Sequence, residues 1–369
     1  MKKLYILVFC IFISAFISCN RGPRYNSEYY VATPNEFKEL GDNININYEV
    51  IKLQDKENDA LVSDIKEIIP FNGRLYVLSI YSGSVYIFNN TGKFLKKLIQ
   101  GRGPEEFSRA MDILIDEHTG NLEVLSRTNV YCYDFEGNFL QKKDLPKANI
   151  LGFEKVGEDY LIYTPHMSEQ NKHYFRLYNC TTKTEERFLD GFDLPLVDIK
   201  PNIFKDVTGR VYFKGMYGDT VYTLDENKQC VAVTTLAPFL NEMPSGNFKR
   251  LSALAKSLGN EYALFSGVKN FGSRLWGMNV SGEKNYDIIY DSKTQTTYKN
   301  LFNSMPGIDC VGCYDGWWYY TIYPFRVSEL KEISSGNDRL TPIITHLESL
   351  VGDNIEEGNP LIIKLKYEV

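Results

Sequence analysis

Cys310-Val311-Gly312-Cys313 has the clearest chemical precedent of any spacing in the chain, because two thiolates three residues apart can supply half a zinc site or a redox dithiol. Neither use finds its complement: no second CxxC or spaced His pair follows, and no strand-helix-strand pattern surrounds the pair. Two packed thiols or a small local disulfide is the expected state. The chain has four histidines, His118, His166, His173 and His346. His118 sits in the polar turn Asp116-Glu117-His118-Thr119-Gly120 and His346 on a surface helix, while the separation of His166 from His173 matches neither a helical pair nor a zinc pattern. No nucleophile elbow, P-loop or HExxH helix is present. Spacing therefore assigns no catalytic residue, no metal ligand and no cofactor, although a site assembled from several segments would leave no such mark.

Aromatic residues offer a different chemistry. Trp317-Trp318-Tyr319-Tyr320 is the densest aromatic run in a chain that is 14% aromatic. In a strand, alternation sends Trp317 and Tyr319 to one face and Trp318 and Tyr320 to the other. Flat aromatic faces stack on sugar rings, so Trp317, Trp318 and Trp276 are candidate ligand-stacking residues, and packing between sheets is the competing use. Gly101-Arg102-Gly103-Pro104-Glu105-Glu106-Phe107 also has two readings. Its glycines could bring backbone amides together as an anion nest. Alternatively they permit a sharp turn that Pro104 stiffens, with Phe107 packed between neighbouring sheets and Arg102, Glu105 and Glu106 directed to solvent.

A repeat positions these residues. Phe88-Asn89-Asn90-Thr91-Gly92-Lys93-Phe94-Leu95 returns as Tyr133-Asp134-Phe135-Glu136-Gly137-Asn138-Phe139-Leu140 at an offset of 45 residues. The beat continues at Tyr178-Asn179-Cys180-Thr181-Thr182-Lys183 and, 44 residues on, at Tyr222-Thr223-Leu224-Asp225-Glu226-Asn227. Each beat is an aromatic strand end followed by a turn rich in Asn, Asp and Gly, residues that tolerate tight hairpins. The second unit shows short β runs at Asp112 to Asp116, Leu122 to Ser126, Val130 to Asp134 and Phe139 to Leu145. Four strands in about 40 to 45 residues is the spacing of a propeller blade. Tyr290-Asp291 arrives late, and the excess reads as a helix in which Phe248, Leu251, Leu254, Ala255 and Leu258 share a face after the N-cap Ser245 and before Gly259. A second helix is expected over Ile343 to Val351.

Five units then span 61–99, 107–146, 149–190, 197–237 and 262–303, and a sixth begins with Ile308 to Tyr314 and Trp317 to Tyr323. Leu361 to Tyr367 can supply its third strand and Ile46 to Leu53 its outermost, which would close the ring and hide its edges. The expected fold class is all-β: a six-bladed β-propeller with an N-terminal strand closing the last blade and two short helical insertions.

At the N-terminus, Lys2 and Lys3 precede an apolar run from Leu4 to Ile17 that stops at Ser18-Cys19, the layout of a secretory leader. At ~1.5 Å per residue the run falls short of a ~30 Å hydrocarbon core. Phe16-Ile17-Ser18-Cys19 resembles a bacterial lipobox, with Phe16 where Leu is usual, and an ordinary signal peptide with an incidental cysteine is the alternative. The division is a signal peptide over 1–18, lipidated Cys19 with a tether over 19–43, and the propeller over 44–369. Acylation of Cys19 would make a lipid membrane the first partner. Loss of Lys2 and Lys3 with the leader takes the formal charge from −6 to −8, and no basic cluster exceeds pairs such as Lys96-Lys97. Nucleic acid is not an expected partner.

Set between Thr91-Gly92-Lys93-Phe94-Leu95 and Met111-Asp112-Ile113-Leu114-Ile115-Asp116, the Gly101 to Phe107 segment resembles the G-x-G-P-x-E-[FY] signature of six-bladed propeller lipoproteins of Bacteroidota. It is similar, more distantly, to the blade junctions of NHL-repeat propellers. The resemblance covers nearly the whole mature chain, from Tyr48-Glu49-Val50-Ile51-Lys52-Leu53 to Glu357-Gly358-Asn359-Pro360-Leu361-Ile362-Ile363-Lys364-Leu365. The resemblance implies binding of ligands or partners and transfers no catalytic residue. Taken with the lipobox, the repeat architecture and the lack of catalytic motifs, it leads to the expectation of a lipid-anchored cell-envelope protein, at the outer membrane, that binds a carbohydrate, peptide or envelope partner without catalysis. The alternatives are a propeller enzyme of the lyase, lactonase or glycosidase type using channel carboxylates and a divalent cation, and a structural component of an envelope assembly. Asn20-Arg21-Gly22-Pro23 leaves the membrane leaflet open.

Overall fold

The computed structural model describes residues 37–368 without 42–43, 56–58, 165–172, 191–202, 206–207, 215–219, 236–263, 272–274, 282–285, 292, 295, 303–304, 306, 335–336 and 352–357. The leader, Cys19, His166 and the helix expected from Phe248 to Leu258 lie outside the described residues.

Among the described residues β1 (Asn45–Lys52) is the first strand. The first sheet follows, with β2 (Glu67–Phe71), β3 (Arg74–Leu78), β4 (Val85–Asn89) and β5 (Phe94–Lys97). The second holds β6 (Asp112–Asp116), β7 (Asn121–Ser126), β8 (Asn129–Tyr133) and β9 (Phe139–Asp144), and the third β10 (Gly152–Val156), β11 (Asp159–Tyr163), β12 (His173–Asn179) and β13 (Glu185–Asp190). The fourth holds β14 (Ile203–Lys205), β15 (Val211–Lys214), β16 (Thr220–Leu224) and β17 (Cys230–Thr235), and the fifth β18 (Leu264–Phe271), β19 (Leu275–Ser281), β20 (Tyr286–Asp291) and β21 (Thr296–Lys299). The sixth combines β22 (Ile308–Tyr314), β23 (Trp317–Ile322) and β24 (Leu361–Glu368) with β1. The first strand of each sheet touches the first strand of the next, and β22 returns to β2, so these six strands ring a central channel. The fold is all-β and propeller-like, with few helices.

The 45-residue beat has a physical cause at the hairpin joining the third and fourth strands. Asn89 Oδ1 accepts the amides of Thr91 and Lys93 at 3.0 and 2.8 Å, and Asp134 Oδ1 those of Glu136 and Asn138 at 2.9 and 2.8 Å. Asn179 Oδ1 likewise takes Thr181 and Thr182, Asp225 Oδ1 takes Asn227 and Gln229, and Asp291 Oδ1 takes Lys293. One Asn or Asp side chain thus satisfies the donors of each turn. In the fourth sheet that residue is Asp225, preceded by Leu224, so the aromatic alignment on Tyr222 is two residues out of phase: the turn cap, and not the ring before it, carries the period. At the same end of the sheets, Asn72-Gly73 and Asp315-Gly316 link first to second strands with φ of 48°, 72°, 52° and 76°, the two-residue hairpin that needs positive φ at both positions.

The sixth sheet forms as the chain ends suggest. β1 pairs antiparallel with β24 in an unbroken register from Asn45↔Glu368 to Lys52↔Leu361. Asn359 latches the closure, accepting Val62 N at 2.6 Å and donating to Gln54 O and Ala60 O at 2.8 and 2.7 Å. Two helices follow β23. α1 (Val327–Ile333) is absent from the sequence-based expectation, since Val327 and Leu330 alone form its buried face and one spacing makes no period; α2 (Thr341–Val351) covers the expected Ile343 to Val351. Ile343, Ile344 and Leu347 of α2 share one core with Val327 and Leu330 of α1, Phe302, and Ile363 and Leu365 of β24. α2 also lies along β1, where Lys52 Nζ donates to Leu350 O at 2.6 Å, so the outer edge of the sixth sheet is covered. Residues 37–41, assigned to the tether, are docked: Phe37 is buried, and Lys38 bridges Tyr298 in parallel through Lys38 N to Thr297 O and Lys299 N to Lys38 O.

Candidate functional site

The junction segment joins the outermost strand β5 to the innermost strand β6. Gln100 and Phe107 form a parallel bridge, with Gly101 N donating to Phe107 O at 3.1 Å, so the loop closes on itself. The Glu106 side chain folds back to accept Gly103 N at 2.9 Å. A Cβ on Gly101 would lie 1.9 Å from that carboxylate, and one on Gly103 2.9 Å from its Cδ. Neither glycine has a positive φ; each lies under the Glu106 side chain, in a segment that bends and turns from 101 to 105. The folded-back carboxylate also takes the place an anion would occupy in a nest. Phe107 is 0% exposed and meets Tyr131 and Tyr133 edge-on at 6.1 and 6.4 Å. Arg102, Pro104 and Glu105 are exposed.

Trp317 to Tyr320 alternate as expected, and both faces are occupied. Trp318 is 4% exposed, with its ring against Tyr320 and Tyr367 at 6.5 and 5.3 Å, so it has no face open to a sugar and serves the core instead. Trp317 is half-buried, with Lys364 Nζ 4.5 Å and Lys366 Nζ 6.0 Å from its centroid; the ammonium groups cover the ring that stacking would need. Trp276 stands in β19 in register with Phe271 and Tyr290, and its side chain lies outside the described part. No disulfide joins Cys310 and Cys313, which face Tyr320 and Trp318 across the β22–β23 pairing. Burial, then the neighbouring Cys310, pushes the Cys313 thiol well above its ordinary range, which disfavours a thiolate. His118 is exposed, His173 opens β12, and His346 lies half-buried beside the Tyr48 ring at 6.1 Å.

The channel wall brings together residues that no local spacing marks. Glu67 on β2 is half-buried, and desolvation, then the charge of Asp112, holds its carboxyl well above the usual carboxylate range against the pull of Lys66. Tyr314 on β22 donates its hydroxyl to Glu67 Oε1 at 3.2 Å. Asp112 at the start of β6 accepts Lys66 Nζ and Phe153 N, each at 3.1 Å. On β10, Glu154 pairs with Lys205 Nζ of β14 at 3.1 Å, and burial raises its carboxyl although that lysine opposes the shift. Lys155 pairs with Asp116 further along the same inner strands; behind them, between the second and third sheets, Glu123 of β7 accepts Lys143 Nζ of β9 at 2.9 Å and the Tyr160 hydroxyl of β11 at 2.7 Å. Five sheets therefore contribute ionisable groups to one polar wall. Lysine neutralises most of its carboxylates, while Glu67 is the group best suited to hold a proton. Among the described residues no group of three or more His, Cys, Asp and Glu could hold a metal ion.

Residues 35–366 match the family described as Domain of unknown function (DUF4934). The chain belongs to this family. The DUF4934 chain is similar in structure to a protein described as exported, from Bacteroides fragilis, with a TM-score of 0.67 and 17% identity over 90% of this chain and 99% of that one. It is also similar to a member of the DUF4221 family from Bacteroides vulgatus, with a TM-score of 0.53 and 9% identity over 89% and 99% of the two chains. At these identities the likeness is one of fold. No protein with a curated description matches it. Within this DUF4934 chain, Glu67 and Asp112 escaped motif reading, yet they stand 45 residues apart at equivalent ends of β2 and β6, so the blade period itself was the signal that could have paired them. Lys205 carries no such signal, and Tyr314 meets Glu67 only because ring closure brings β22 back to β2.

Proposed function

We propose that this chain is a lipid-anchored cell-envelope protein, acylated at Cys19, whose six sheets act as the blades of one propeller and whose better-elaborated end binds a carbohydrate, peptide or envelope partner without turning it over. The supporting observation is the asymmetry of the two ends of the ring. Antiparallel four-stranded sheets put the sheet-to-sheet connections and the second-to-third-strand connections at one end, and all other turns at the other. The turn end is trimmed to links such as Asn72-Gly73, Gly157-Glu158 and Asp315-Gly316. The loop end carries the 98–111 and 53–66 connections and the long 323–360 excursion with α1 and α2. Variable connections on a rigid scaffold are where binding residues gather. The kinship in fold with a protein described as exported fits a place in the envelope.

The test is a thermal-shift screen of the full chain in detergent against oligosaccharides and peptides; a ligand at 100 times its Kd stabilises the native state by about 2.7 kcal/mol. Arg102→Glu at the loop end should weaken a detected ligand and Glu158→Arg at the turn end should not. The reverse pattern refutes the assignment of the end. Cys19→Ala should release the chain from membranes, and continued sedimentation with them would refute the anchor. A second reading, a channel enzyme of the lyase, lactonase or glycosidase type, is favoured by one observation: the protonatable Glu67 beside Asp112 and Tyr314. Product formation abolished by Glu67→Gln would replace the first reading with it.

A further inference from the structure

We infer that Tyr81, Tyr323 and Phe325 form a stacking platform for a neutral saccharide on the loop-end rim between the sixth and first sheets. This rests on the reading of the loop end as the binding end, and it names the residues and the ligand class.

The loop between β3 and β4, residues 79–84, holds Tyr81 near its apex with 78% of the residue exposed. Such exposure normally accompanies a loosely held loop, and this one is braced from three sides. Asp64, buried, accepts the Ser79 hydroxyl at 2.7 Å, Ile80 N at 2.9 Å and Tyr81 N at 3.2 Å. Gln100 donates to Ser82 O and Gly83 O at 3.1 and 2.8 Å and accepts the Ser84 hydroxyl at 2.6 Å. Arg109 donates to Ile80 O at 2.5 Å and packs so closely on Gly83 that a Cβ there would lie 2.3 Å from its Cγ. A ring displayed on a loop already confined to one conformation loses little entropy when it binds, which is the physical advantage of a preorganised aromatic contact.

The neighbouring rings are tied to the same anchor. Ser63 donates its hydroxyl to Asp64 at 3.0 Å, and its carbonyl accepts the Tyr323 hydroxyl at 2.7 Å. Tyr323 stacks on Phe325, centroids 5.5 Å apart and planes at 27°; the Arg326 guanidinium lies 5.7 Å from the Phe325 centroid, and Phe325 is still 50% exposed, whereas Trp317 has two ammonium groups over its ring. Asp309, exposed at the start of the inner strand β22, acts with Tyr81 and Asp64 on the Tyr323 hydroxyl, whose proton is held more tightly than usual through burial first and these charges next. Flat rings beside an exposed carboxylate suit a pyranose. Its C–H face lies against an aromatic π-face, and its hydroxyls donate to carboxylate oxygens. The chain's net charge of −6 and the position of Asp309 favour a neutral saccharide over a uronate.

Calorimetry on the full chain in detergent, with maltohexaose, cellohexaose, xylohexaose and mannohexaose as probes and polygalacturonate and decaproline as controls, tests the inference. At least one neutral hexasaccharide should bind, with Tyr81→Ala and Phe325→Ala each weakening it about tenfold or more, an unchanged melting temperature, and unchanged affinity in Trp317→Ala. Binding that survives the Tyr81→Ala/Phe325→Ala double variant overturns the platform; its further loss in Arg102→Glu would show that the loop end still binds. Absence of binding by every neutral hexasaccharide overturns the saccharide, as does decaproline binding lost in Tyr81→Ala, which would make a proline-rich peptide the occupant while leaving the loop end as the binding end.

Discussion

Two junctions of the ring occupy equivalent places in the topology and spend their aromatic residues in opposite ways. Between the first and second sheets, the loop from Gln100 to Phe107 turns inward: Phe107 is fully buried against Tyr131 and Tyr133, and Glu106 is consumed in satisfying the loop's own backbone. Between the sixth and first sheets, Ser63 and Asp64 hold the bases of loops whose rings point outward. The first junction has an apolar socket between two sheets, and burial of a phenylalanine there is favourable. At the second, Asp64 satisfies the loop backbone from beneath, so the loop keeps its shape without burying the ring at its tip. Each junction leads into an inner strand that begins with a carboxylate, Glu67 or Asp112, and only Asp112 takes the lysine between them as a hydrogen-bond donor.

The largest expected effect breaks the first junction. Phe107→Ala should cost about 3–5 kcal/mol in urea unfolding, as for other buried aromatics cut to alanine; a cost below about 1 kcal/mol would show that the socket is not packed as described. Asp64→Ala leaves the Ser79, Ile80 and Tyr81 donors without their acceptor and should cost about 2 kcal/mol, with faster amide exchange across residues 79–84. Unchanged exchange there would end the claim that Asp64 braces the loop. Glu67→Gln sharpens the contrast between the two carboxylates. A folded-state pKa raised above the unfolded value gives a stability contribution present at low pH and lost as pH rises through the folded value. The melting temperature of wild type should therefore fall relative to the glutamine variant as pH rises, with the two converging in acid; parallel curves would refute the raised pKa. Tyr81→Ala should be the smallest, within about 0.5 kcal/mol of wild type, because its ring rests mainly in solvent.

Much of this contrast was hidden from sequence reading for a reason that particular residues make plain. The Gly101 to Phe107 motif was legible because its glycines and Glu106 meet within three to five positions. The turn caps Asn89, Asp134 and Asn179 were legible for the same reason, although the ring-based alignment at Tyr222 shows that a conspicuous side chain can mislead when a small polar one carries the constraint. Trp317 and Trp318 were conspicuous too. Their surroundings are set by Lys364, Lys366 and Tyr367 on a strand that returns after the whole helical excursion.

By itself the sequence determined the 45-residue period, the strands of the second and sixth sheets, and the pairing of Asn45–Lys52 with Leu361–Glu368, because alternation and turn chemistry act over a few residues and the missing strands of the last sheet had to come from the ends. Only the tertiary structure decided which aromatic rings are exposed and which carboxyl is held well above the usual carboxylate range. Exposure and electrostatic surroundings depend on groups that ring closure brings from opposite ends of the chain, as Tyr314 is brought to Glu67 and Tyr323 to Ser63.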